Sequence, residues 1–200
     1  MTIAGEMLRV ALEKLGEPIK SVARETGYSV DAFYAAQNGK RHIPQDAKPK
    51  LSQKHPMFGM AIAYEDTGYQ CFTYINRDRH IQTMIRRLEK EDMEADKALQ
   101  PLGIMLVDKN DPEDLTPEDE FTLKAAAKEI SDRIQADLNL LVEMETRYRL
   151  GLTEYLAGGG IQAKEKPASQ QQSVAEKRAS YPVKTRSLKA NKKAAAQAAK

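Results

Sequence analysis

The sequence predicts an all-α protein, and three observations carry that expectation. Charged residues make up 30% of the 200 positions and aromatics only 6%, with no Trp. That mix suits helices with solvated faces better than a sheet sandwich. Apolar residues recur at helical spacing rather than in alternation, and Gly and Pro fall between the apolar runs, where helices stop and start. Two hundred residues bury one good core or two small ones.

The first helix spans residues 3–15. Ile3, Met7, Leu8, Ala11, Leu12 and Leu15 form one apolar stripe. Gly16 ends it, and Pro18 suits the first turn of the next. A second helix follows to about residue 26 and a third from about 30 to 37. Between them, Ala23 lies four residues before Gly27. Two short helices cross steeply only where a small side chain sits at the contact, and the chain reverses tightly only through a residue that tolerates positive φ. Ser29 is placed to cap the third helix. Val22, Tyr28, Phe33 and Ala36 fall where the pair faces a shared core.

These residues, together with the loop NGKRHIP at 38–44, resemble the helix-turn-helix of the lambda-repressor-like (Xre-type) DNA-binding family. The resemblance covers roughly residues 3–55. It implies a five-helix DNA-binding head over residues 1–67, with the third helix as the recognition helix. The implied DNA-binding residues are Ser29, Asp31, Tyr34, Gln37, Asn38, Lys40, Arg41 and His42. Tyr34 suits a phosphate or a thymine methyl, and Gln37 and Asn38 suit adenine edges or backbone phosphate. Asp31 suits cytosine N4 or simply the helix dipole. Lys40, Arg41 and His42 form a basic loop for flanking phosphates, with Lys48, Lys50 and Lys54 adding to the basic edge. The chain departs from the family at Thr26, where a larger apolar residue is usual, and in having no Arg or Lys at positions 30–37. The plain alternative is a helix pair that only packs.

Pro44 opens a fourth helix to about residue 52, with Pro49 inside it. Residues 56–67 read as a fifth helix closing the head, with a buried strand as the alternative. Residues 68–78 are a linker whose aromatics suggest a packed loop or a hairpin edge, and Cys71 there reads as a small apolar filler. A charged helix spans 79–99, with wet-face pairs such as Arg86 with Glu89 and Arg87 with Glu91. Pro101 and Gly103 interrupt, and 104–107 (IMLV) is expected to bury again. Thr116, Pro117 and the acids at 118–120 mark a helix start. Its stripe, from Phe121 to Leu152, extends to about residue 156. Roughly 40 residues reach about 60 Å, longer than a small core. Residues 79–157 are therefore expected to form an antiparallel helical hairpin that also holds a second copy of the chain. The three glycines at 158–160 are a hinge, and 158–200 a disordered basic tail.

The net charge of +2 hides an asymmetry. Residues 1–56 hold 9 basic and 6 acidic groups, 57–160 hold 12 and 21, and 161–200 hold 10 and 2. A phosphate-binding head, an acidic middle and a basic tail follow from that pattern. No apolar run suggests a membrane span, and no signal peptide is evident. The single cysteine excludes an intrachain disulfide. The three histidines have no zinc-site spacing, and no phosphate-cradling or dinucleotide fingerprint is present. Neither a catalytic set, a metal site nor a cofactor is expected. The expected function is a sequence-specific, phage-type transcriptional regulator, cytoplasmic and nucleoid-associated, that binds double-stranded operator DNA as a dimer. The alternative is an adaptor or inhibitor that binds a host protein through its acidic helices.

Overall fold

The computed structural model describes residues 2–76 and 80–158. Every regular element among them is helical: α1 (Ile3–Leu15), α2 (Ile19–Thr26), α3 (Val30–Gln37), α4 (Lys48–Ser52), α5 (Pro56–Thr67), α6 (Ile81–Leu99), α7 (Leu102–Met105), α8 (Pro117–Tyr148) and α9 (Leu152–Leu156), with short 3-10 turns at Gln70–Phe72 and Pro112–Asp114. The hinge past Gly158, the basic tail and the expected helix start at Arg79 lie outside the described residues. No described helix is long and apolar enough to cross a membrane.

The sequence explains the first five helices locally. The Thr2 hydroxyl accepts from the Gly5 amide at 3.2 Å, which caps α1, and Gly16 ends it at φ 72°. Met7, Leu8, Val10, Ala11 and Leu12 turn inward. Gly27 at φ 81° closes α2, and the Tyr28 amide donates to the Ala23 carbonyl at 2.9 Å. Thr26 is buried where an apolar side chain would be usual. Its hydroxyl donates to the Val22 and Ala23 carbonyls at 2.8 and 3.0 Å, so no polar atom is left unsatisfied. The Ser29 hydroxyl caps α3 through the Ala32 amide. Val22, Ala23, Phe33 and Ala36 join the core, and Tyr28 packs at its edge. α4 is shorter than expected. Turns occupy 45–47, and Pro49 lies in the first helical turn, where its missing N–H costs nothing. Residues 56–67 are a helix, with Pro56 in its first turn and His55 as its cap.

α1 and α3 come into backbone contact at Gly5. A Cβ built on Gly5 would lie 2.1 Å from the Gln37 carbonyl oxygen and 2.8 Å from its carbon. Glycine there lets the end of α3 sit directly on α1.

Residues 70–75 are packed rather than free. Buried Asn139 of α8 clamps them: its Oδ1 accepts from the Ile75 amide at 2.8 Å, and its Nδ2 donates to the Thr73 carbonyl at 3.0 Å. One turn earlier, the Gln135 amide donates to the Gln70 carbonyl at 3.2 Å. α8 also completes the core of the first five helices. Val142 is fully buried in it, with Leu138 against its edge. Beside Val142, the Glu143 carboxylate receives both the Lys14 ammonium and the Tyr74 hydroxyl. The two charged side chains are buried, and the ammonium lies 4.9 Å above the Tyr74 ring. His55 closes the junction. Its Nδ1 accepts from the Met57 amide at 3.2 Å, and its Nε2 lies 3.2 Å from the Thr146 hydroxyl. The described residues thus form one compact unit.

Burial pushes the His55 imidazole down to about 4, with Lys14 adding to the shift and Glu145 and Glu143 opposing it. The unfolded chain takes up a proton near 6.5, whereas the folded chain does so only near 4. Stability is therefore complete above about pH 6.5 and falls as pH drops toward 4, by about 3 kcal/mol. Urea midpoints across this range check it: His55→Gln removes most of that slope.

α6 and α8 run antiparallel as an arm, joined by Arg133 Nε to Asp92 Oδ1 at 2.8 Å. Its wet faces use Lys90 with Glu94, Lys124 with Glu120 and Lys128 with Asp132 rather than the Arg–Glu pairs expected from spacing. The α8 N-terminus is as expected: Thr116 and Asp119 cap each other. Two expectations fail. The run 104–107 does not bury: Ile104 is 84% and Val107 79% exposed. α8 also stops at Tyr148, after 32 residues, about 48 Å. Arg149 turns left-handed at φ 49°. The Glu145 carboxylate then accepts from the Gly151 and Leu152 amides at 3.3 and 2.9 Å. The chain folds back as α9, whose Thr153 and Leu156 line an apolar groove with Met60, Phe72 and Leu141. Of the expected α8 stripe, Ala126 and Val142 are buried, whereas Phe121 and Tyr148 are exposed.

Candidate nucleic-acid interface

The outward side of α3 is open. Ser29, Asp31, Tyr34 and Asn38 are exposed, and Gln37 is half-buried. Tyr34 and Gln37 share a shallow groove with Arg9 of α1. Ser29 has its hydroxyl committed to the helix cap. Asp31 lies in the first turn, where its charge favours the helix dipole. Asn38 ends the helix, with a backbone N–H bonded to the Tyr34 carbonyl at 3.0 Å. Its side chain makes no hydrogen bond.

The loop that follows is held in place. The Lys40 amide donates to the Ala35 carbonyl at 2.8 Å. Gly39 has φ 70°, in the left-handed region that favours glycine, and a Cβ there would meet the Thr2 side chain at 2.4 Å. On the far side, the Glu65 carboxylate of α5 accepts from the Ile43 amide at 3.1 and 3.2 Å. It also lies 3.6 Å from the His42 Nδ1. The loop therefore presents Lys40, Arg41 and His42 from a fixed backbone, all exposed. All eight expected residues lie along α3 and this one loop.

Of the expected basic edge at Lys48, Lys50 and Lys54, only Lys50 is left without an acidic partner. Lys48 is buried against Glu65 at 3.4 Å and Asp66. These acids hold its ammonium above the usual range despite burial. Lys54 is bound to Glu17 at 3.2 Å and Glu25 at 2.6 Å, and Lys50 reaches the Glu25 carbonyl at 3.4 Å. Internal acids satisfy the Lys48 and Lys54 ammonium groups, whereas Lys50 stays exposed. Within the first five helices and their loops, Lys20 and Arg24 on α2, Lys40 and Arg41 in the loop, and Lys50 have no ion pair, and all five are exposed. Lys20 and Arg24 escaped sequence reasoning. Their signal was the i, i+4 spacing opposite the buried Val22, Ala23 and Thr26.

No family model, curated protein or solved structure matches this chain. The assignment of a role therefore rests on side-chain chemistry. One acidic trio elsewhere, Glu91, Glu129 and Asp132, brings its carboxylates within 4.8 Å of one another. Lys90 at 3.3 Å from Glu91, and Lys128 at 3.2 and 2.8 Å from the other two, already meet that charge. The trio lies in the cleft of the arm as part of its ion-pair lattice. The α3 surface is different in kind: it offers uncharged hydrogen-bonding side chains in a row, with the exposed Lys40 and Arg41 in the loop that follows and nothing from the described chain across them.

Proposed function

We propose that the chain is a sequence-specific DNA-binding regulator of the phage type, with a lambda-repressor-like head and α3 as its recognition helix. One observation carries the reading: the side of α3 bearing Tyr34, Gln37 and Asn38 is uncovered, and the loop that follows it presents Lys40 and Arg41 to solvent, with Lys20 and Arg24 of α2 also exposed. In this reading Tyr34, Gln37 and Asn38 meet base edges, and the cations grip phosphates on either side of the major groove. With no arginine on α3, base readout falls to amide and phenol groups. Discrimination then depends on a rigid frame, which the Gly5 and Glu65 contacts supply. The protein acts as a homodimer through residues 79–157, so the operator is near-palindromic, with half-sites about one helical turn apart. It works on the nucleoid.

Genomic footprinting followed by gel-shift titration tests this reading. Occupied sites share a motif. Tyr34→Ala with Asn38→Ala lowers operator affinity about 10- to 100-fold, with little change on random DNA. Lys40→Gln with Arg41→Gln weakens all duplexes alike and lowers the salt slope by about 2. Unchanged operator affinity in the first variant, or sites without a motif, removes α3 from the role assigned to it. A second reading, an adaptor that binds a host protein through its acidic helices, is favoured by the apolar side chains exposed at the loop end of the arm.

A further inference from the structure

We propose that the loop end of the arm, around Ile104, Val107 and Phe121, is a docking site for a cationic amphipathic helix of a protein partner. The inference rests on the adaptor reading alone and is independent of DNA binding by α3.

Three large apolar side chains stand in solvent there. Ile104 is 84%, Val107 79% and Phe121 74% exposed, with Leu99 and Leu106 partly so. Single exposed apolar residues are ordinary, but three large ones at the same end of an arm are the kind of feature that interaction surfaces show. The connection between α6 and α8 brings them to the same end. The Lys109 ammonium lies 2.9 Å from the Asp119 carboxylate and 3.1 Å from the Asp114 carbonyl. This pins the connector onto the first turn of α8. The connector that carries Val107 is thereby tied to the turn of α8 that precedes Phe121.

Charge decides the occupant. Between Leu99 and Phe121 the chain carries seven acidic residues and one basic residue, Lys109. Lys109 is already engaged by Asp119, whose carboxyl is held down at about 2 by that ammonium and by Thr116. Glu113 and Glu118 have no ion pair among the described residues. A second copy placed here would set seven acids against seven. Nucleic acid and anionic lipid are repelled for the same reason. A helix with apolar residues at i, i+3, i+4 and i+7 and Lys or Arg alongside satisfies both features. Its apolar stripe covers the three exposed side chains, and its cations meet the unpaired acids. Phe121 precedes the core residue Val142 by 21 positions, about 30 Å along α8. A helix docked here clears the α3 surface.

The test uses the full chain and a labelled 18-residue Leu/Lys peptide with that spacing, followed by fluorescence anisotropy. A scrambled peptide of the same composition and a Leu/Glu peptide serve as controls. The Leu/Lys peptide binds, and the Leu/Glu peptide does not. Ile104→Ser with Val107→Ser and Phe121→Ser weakens binding at least tenfold, and Glu113→Gln with Glu118→Gln weakens it several-fold and flattens its salt dependence. All five positions except Glu113 sit on helices or beside α7, so circular dichroism confirms that each variant keeps its helical content. Equal binding of the scrambled peptide, or no loss in the triple serine variant, reduces the effect to general polyelectrolyte attraction and overturns the proposal. Sedimentation provides a second way to overturn it. If the wild-type chain self-associates and the triple variant does not, a second copy covers the tip instead. Neither result bears on α3, because the Tyr34 and Asn38 variants report on DNA separately.

Discussion

Gly5→Ala is expected to destabilise the protein by about 3 kcal/mol or more, which in a chain of this size lowers the melting temperature by about 10 °C. The sign is the informative part. Within a helix, alanine is ordinarily favoured over glycine by about 1 kcal/mol, so propensity alone predicts a more stable protein. The contact predicts the reverse, because the new methyl would sit 2.1 Å from the Gln37 carbonyl oxygen, on backbone that has no rotamer to change. Either α1 and α3 separate or the last turn of α3 unwinds. Both outcomes shift Gln37 and Asn38, so under the proposed DNA-binding role operator affinity falls together with stability. Differential scanning calorimetry and gel-shift titration of the same preparation check the two effects. A stabilised Gly5→Ala variant would mean that the two helices are not in backbone contact.

Removing one member of the buried Lys14–Glu143 pair has the second large effect. Glu143→Leu leaves the Lys14 ammonium buried without a counter-charge and the Tyr74 hydroxyl without its acceptor. The expected loss is about 3–5 kcal/mol. The double variant Lys14→Met with Glu143→Leu recovers most of it, since an apolar pair of similar volume carries no desolvation cost. A double-mutant cycle in urea gives the coupling directly. Equal losses in the single and double variants would show that the site responds to side-chain shape, not to charge.

What could be read from the sequence divides by chain separation. The α2–α3 turn was legible because every part of it is local: Ala23 at the contact, Gly27 in the left-handed turn and Ser29 on the cap lie within seven residues. So was the start of α8, where Thr116, Pro117 and three acids follow one another. The Gly5 contact was not legible, because a glycine inside an apolar helical run carries no mark of the carbonyl opposite it. The lysines near residue 50 misled for a similar reason. Their acidic partners lie elsewhere in the chain: Lys54 meets Glu17, and Lys48 meets Glu65. Composition showed the charge but not its partner. The run IMLV reads as core on hydrophobicity alone, yet it sits on a turn with no layer above it. The end of α8 is not visible in the sequence because Arg149 is a good helix former, yet it adopts φ 49° where the Glu145 carboxylate takes the Gly151 and Leu152 amides. Along α3 and its loop, exposure was legible from periodicity. Which cations remain free was not.

The clamp made by Asn139, Glu143 and Val142 constrains how such a chain can change over generations. The acidic arm is not an appendage that could be traded for another by recombination near residue 76. A foreign arm would present the wrong side chains to Lys14, His55 and the carbonyl of Thr73, and the head would be left with a gap where Val142 belongs. Head and arm have to vary together, one compensating substitution at a time.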